Sequence, residues 1–87
     1  MKLGMYSIRD KKIGYGDPII LANDEVAVRA FKQWVNSPNE NQANQFIEDK
    51  ELHKLGTFDT DQGRIEPESR FMITAIELKE YRKESKE

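Results

Sequence analysis

The chain contains no cysteine. That excludes disulfides and thiolate metal sites, and it points to a reducing compartment. Long apolar runs are also missing: the longest hold three or four residues, too few for a membrane-spanning helix. The N-terminus, MKLGMYSIRD, lacks the apolar core of a secretory signal. There is one histidine, His53, so no second imidazole or thiolate exists to complete a transition-metal site. Neither a phosphate loop nor a dinucleotide fingerprint is present, since GYG at residues 14–16 is too short for either. No metal or cofactor is expected.

With 87 residues, the chain is expected to form one domain. A domain of this size buries only about 60–65% of its unfolded surface. Its stability should be marginal, and a homodimer would be one remedy. Eight aromatic residues are enough to seed a core and argue against general disorder.

Net charge is −2, unfavourable for a general polyanion binder, but the charge is unevenly spread. Residues 1–16 hold Lys2, Arg9, Lys11 and Lys12 against Asp10 alone, a balance of +3; residues 17–87 hold ten cations and fifteen anions, or −5. A basic pole can act locally on an acidic body because charges are screened beyond about 8 Å at physiological salt. The ordinary alternative is a mixed charged surface.

Residues 2–9 alternate as a strand, with Leu3, Met5 and Ser7 on one side and Tyr6 and Ile8 on the other. Residues 10–17 read as a loop or wide turn. The run PIILA at residues 18–22 suits a short strand opened by proline. Residues 23–36 form the clearest helix. Asn23 or Asp24 can cap it, and Ala27, Val28, Phe31, Trp34 and Val35 share one face. Pro38 ends it. Residues 39–44 read as a loop, with a helical turn toward residues 45–47. Residues 51–58 return to strand character, and residues 63–66 could pair back onto them. Residues 70–78 fit strand or helix, and their β-branched content favours strand. Residues 79–87 form a charged tail after a domain spanning residues 1–78. The expected class is α+β: a small, mainly antiparallel sheet with one main amphipathic helix packed on one face.

Asp59 and Asp61 followed by Gly63 raise the question of a calcium loop. Counted from Asp59, the fifth position is Gly63, the sixth is Arg64 and the twelfth is Arg70, a cation where a bidentate glutamate is required. The alternative is a hairpin turn over residues 57–64. Asp59 and Asp61 would then bond nearby backbone amides and Gly63 would take positive φ. His53 reads as a strand surface residue. No spacing joins it to Ser7, Ser37, Ser69 or Ser85 as a nucleophile–base pair, so no enzyme is expected.

The stretch YSIRDKKIGYG places Tyr6 and Tyr15 around Arg9, Lys11 and Lys12. Cations for phosphates and aromatic faces for bases are what single-stranded nucleic acid requires. The plain alternative is one core tyrosine beside a charged turn. Trp34, on the apolar helix face, reads as a core or dimer contact.

Three segments in order, MYSIRDKK, VAVRAFKQWVNSP and LHKLGTFDTDQGRIEP, resemble the small nonstructural protein of gokushovirus-type microviruses, single-stranded DNA bacteriophages. The resemblance covers about residues 4–67. It implies a phage protein made in the host cytoplasm and absent from the finished capsid. The role it implies is binding single-stranded DNA during the switch to genome synthesis and packaging. It carries over Tyr6, Arg9 and Asp10, then Arg29, Phe31 and Asn36, then Asp59 and Gly63. The nucleic-acid-binding set expected from charge, aromatics and resemblance together is Tyr6, Arg9, Lys11, Lys12, Tyr15 and Arg29. Arg9 is the foremost phosphate contact in that set. The competing expectation is an interaction protein that binds a phage or host protein through a sheet edge or the helix, without nucleic acid.

Overall fold

The computed structural model describes residues 1–37 and 46–80. The elements run β1 (Lys2–Asp10), β2 (Gly14–Tyr15), β3 (Ile19–Leu21), α1 (Asp24–Val35), a 3-10 turn (Ile47–Asp49), β4 (Lys50–Asp59), β5 (Arg64–Thr74) and α2 (Ala75–Leu78). All pairings are antiparallel, in the order β2–β1–β4–β5, with β3 also on β1. The protein is thus broadly α+β and dominated by its sheet.

The alternation of β1 decides which face is closed. Tyr6 and Ile8 point toward α1, where Tyr6 joins Ala27, Phe31, Val35, Leu52 and Ala75 in the core. Ile8, Leu21, Val28, Trp34 and Ile73 pack around this group. Each large apolar side chain buried here contributes about 1.5–3 kcal/mol. Tyr6 is fully buried and its ring lies across Gly4, where a Cβ would collide with the phenol. Glycine at position 4 is therefore what allows a tyrosine in the core.

α1 begins as its sequence predicts: Asn23 Oδ1 accepts from the Val26 amide at 2.9 Å, and Asp24 and Glu25 occupy the positive first turn. Its other end is fastened by Asn36. The side-chain amide donates to the carbonyls of Lys32 and Leu78, both at 2.9 Å, and its oxygen accepts from the Glu80 amide at 2.7 Å. One side chain thus joins the ends of α1 and α2.

The hairpin of β4 and β5 is confirmed. Asp59 Oδ1 accepts from the amides of Asp61 at 2.9 Å and Gln62 at 3.3 Å, and Gly63 takes φ of 66°. Asp61 differs from expectation. Its carboxylate meets the N-terminal ammonium rather than a backbone amide, because β1 starts beside this turn.

Three further expectations change. The return strand continues from Arg64 to Thr74, with Pro67 accommodated because β5 is an edge strand. Residues 70–78 are then divided rather than all strand. Thr74 accepts from the Glu77 amide at 3.4 Å and Glu77 accepts from the Thr74 amide at 3.3 Å, a reciprocal cap that starts α2. Finally, the expected loop over residues 10–17 contains β2, which pairs with Arg9 and Asp10. The loop expected at residues 39–44, and the tail beyond Glu80, lie outside the described residues.

Candidate nucleic-acid interface

The sheet face turned away from α1 carries Ser7, Arg9, Glu51, His53 and Phe71, placed there by register. Ser7 pairs with His53, Arg9 with Glu51, and His53 with Phe71. Tyr15 enters from β2 opposite Arg9. Three rings form a row across the sheet. Tyr15 meets His53 edge-on at 5.3 Å and 89°, and His53 meets Phe71 at 5.7 Å and 74°. Tyr15 and Phe71 are 51% and 50% exposed, whereas His53 between them is 8% exposed. His53 is therefore not a surface residue. Its neighbours cover it, and it supports the two outer rings.

The Arg9 guanidinium lies 5.7 Å from the Tyr15 ring centre. It also donates to Glu51 Oε1 at 3.2 Å, and His53 Nε2 contacts the same oxygen at 2.8 Å. The His53 hydrogen bond, and secondarily Arg9, hold the Glu51 carboxyl below its usual range against the opposing effect of burial.

Lys11 and Lys12 are exposed in the turn between β1 and β2. Asp10 builds that turn. Its carboxylate accepts from the Lys12 amide at 2.8 Å and pairs with Lys50 at 3.2 Å. The Lys12 amide, then Lys50, hold the Asp10 carboxyl below its ordinary value. The conspicuous Asp10 of the first motif is therefore a turn residue. Ser7, fully buried, ties the following segment down by donating to the Gly16 carbonyl at 2.8 Å.

Two of the six expected residues are elsewhere. Tyr6 is in the core, with its hydroxyl donating to Asp24 at 2.7 Å, so no base can stack on it. Arg29 is exposed on α1, whose buried positions are Ala27, Phe31 and Val35; helical geometry turns it away from the sheet. Arg9, Lys11, Lys12 and Tyr15 do share one region, although Arg9 already has an anionic partner. His53, Phe71 and Glu51 are the site residues that sequence reasoning missed. With Leu52 in the core, strand alternation puts both its neighbours on the opposite face, and that signal was available. Phe71 was hidden by the strand–helix ambiguity of its segment.

Trp34 is half-buried against the core and stacks on Phe31 at 6.0 Å. A cleft of about 420 Å³ on the α1 side is lined by Lys2, Gly4, Asn23, Asp24 and Lys54. Two of its charges are engaged with each other, with Lys54 3.0 Å from Asp24.

Fold and surface together define a small, sheet-dominated α+β protein with a partly exposed aromatic row on one sheet face, among the described residues. By sequence the chain belongs to the phage ORF5 protein family, whose model matches residues 3–78. It is 34% identical over 85 residues to Protein ORF5 of Chlamydia phage 1, a gokushovirus-type microvirus; the match covers 93% of this chain and 88% of that protein. The family match continues past Pro67 to the end of α2, so β5 and α2 belong to the shared pattern. No solved structure matches the chain significantly.

Proposed function

We propose that this phage protein is non-enzymatic and binds single-stranded DNA in the host cytoplasm, on the open sheet face, during the switch to single-strand genome synthesis and packaging. The observation that carries the reading is the pair of half-exposed rings, Tyr15 and Phe71, joined through His53 and flanked by Arg9. Unpaired bases can stack on the two rings, while Arg9, Lys11 and Lys12 meet the backbone. A duplex keeps its bases paired and offers the rings nothing, so single strands are preferred.

Fluorescence titration with single- and double-stranded oligonucleotides tests this. Replacing Tyr15 or Phe71 by alanine should weaken single-strand binding by about 1–3 kcal/mol each. Replacing Lys11 and Lys12 together should flatten the log–log salt dependence by about 1.4, or about 0.7 for each lost phosphate contact. Absence of binding at low salt, or equal affinity for duplex, would reject the reading.

A second reading has its own support. Ile20 and Ile65, 47% and 59% exposed, extend the same face with apolar surface, and the chain is net negative. These features suit a phage or host protein partner without DNA, or a homodimer. A nuclease-treated pull-down from infected cells, together with light scattering, separates these cases from DNA binding.

A further inference from the structure

The contacts around Glu51 lead to a second proposal, which rests on the single-strand reading and concerns its regulation. Glu51 Oε1 receives both Arg9, at 3.2 Å, and His53 Nε2, at 2.8 Å. Arg9 lies over the Tyr15 platform, so its availability controls how a phosphate can be held there. We propose that His53 and Glu51 form a proton-operated switch on Arg9: protonation of His53 neutralises Glu51 and releases Arg9 to a phosphate, so affinity for single-stranded DNA rises as pH falls.

An ionised carboxylate only accepts hydrogen bonds, so Nε2 carries the hydrogen in the Glu51 contact. The proton that charges the ring is therefore added at Nδ1. With His53 neutral, Arg9 and Glu51 cancel. With His53 charged, the three groups carry one net positive charge, and Glu51 has a second cation to hold it. Histidine is the ordinary side chain whose charge changes between about pH 5 and 8. The groups facing His53 are Arg9 and Ser7 from β1, Tyr15 from β2, Glu51 on its own β4, and the apolar Phe71 from β5. Of these, Arg9 and Glu51 are charged at neutral pH.

The test is the affinity of the full chain for oligothymidylate at about pH 8 and pH 5.5, bracketing the histidine range. The intact protein should bind on the order of fivefold more tightly at the lower pH, as expected for one added charge-assisted contact discounted for solvent screening. Its log–log salt slope should steepen by about 0.7. His53→Gln keeps an N–H donor for Glu51 but cannot be charged, and should abolish the pH response. Glu51→Gln removes the counter-charge, and should bind tightly at both pH values. A normal pH response in either variant would overturn the switch. If the intact protein binds at neither pH, the single-strand reading fails instead. The switch is then judged in the free protein: the Arg9 side-chain resonances should follow His53 protonation by NMR, and stationary resonances would reject it without any variant having to fold.

Discussion

Two carboxylates on opposite faces of one sheet each hold two or more partners, but with different chemistry. On the α1 side Asp24 accepts from Tyr6 at 2.7 Å, Lys54 at 3.0 Å and Arg70 at 2.9 Å, and Arg70 is steadied by Glu68 at 2.9 Å. Burial and the Asp24 hydrogen bond push the Tyr6 hydroxyl up, and Glu68 and Asp24 push Arg70 up, so neither donor gives up its proton in the neutral range. On the open face Glu51 accepts from Arg9 and from His53, and histidine is the ordinary side chain whose charge can change near neutral pH. The closed-face cluster is thus a fixed clamp, fastening the start of α1 to β1, β4 and β5. The open-face cluster is the one that the proposed switch would make adjustable. The aromatic residues divide in the same way, with Tyr6 and Phe31 interior and Tyr15 and Phe71 half-exposed.

The division predicts that the two faces respond to mutation by different readouts. Phe31→Ala should have the largest effect on folding, about 3–5 kcal/mol in a urea titration, because it removes buried area and leaves a cavity. That is much of the stability expected of so small a domain. Tyr15→Ala and Phe71→Ala should each cost about 1 kcal/mol or less of stability, while impairing DNA binding. If the open-face variants unfold the protein as severely as Phe31→Ala, the row is core rather than platform, and the contrast between the faces is lost.

Asp24→Asn tests the clamp at a smaller scale. The Tyr6 hydrogen bond, followed by those from Arg70 and Lys54, holds the Asp24 carboxyl well below the ordinary carboxylate range. A depressed carboxylate stabilises the fold fully above its unfolded value, near pH 4, and loses that contribution as pH falls further. Asp24 is 41% exposed at its side chain, so solvent screening reduces the effect to about 1 kcal/mol at neutral pH. The gap in urea midpoint between the native chain and Asp24→Asn should be widest at neutral pH and close toward about pH 2. A gap that ignores pH would show that Asp24 contributes by shape and not by charge.

Much of the scaffold was legible because local signals agree with tertiary ones. Asn23 caps α1 where an amide oxygen precedes two acids, and Ala27, Phe31 and Val35 mark the buried face. Asp59 and Gly63 specify their turn through their own hydrogen bonds and backbone angle. The site was less legible because the choice of face is a non-local property. Tyr6 and Tyr15 bracket the same basic motif, yet one lies under α1 and the other caps an edge. Register with β4, not composition, brings Arg9 to Glu51. In residues 70–78 the β-branched content concealed the Thr74–Glu77 cap, which was visible as spacing and outweighs propensity at that point.

The smallest predicted effect concerns a pair distant from both clusters. The N-terminal ammonium meets the Asp61 carboxylate at the hairpin turn, with both groups more than 70% exposed. An exposed pair gains little Coulomb energy in water and loses side-chain freedom when it forms. The turn has its own supports in Asp59 and Gly63, and the Thr60 amide donates to the Met1 carbonyl at 2.8 Å, so β1 keeps its register without the ion pair. Asp61→Ala should therefore change stability by less than about 0.5 kcal/mol and leave single-strand affinity unaltered. A larger loss of stability would mean that charge, and not backbone bonding, fastens β1 to the hairpin. A gain in DNA affinity would mean that the hairpin end, and not the aromatic row, is where phosphates approach.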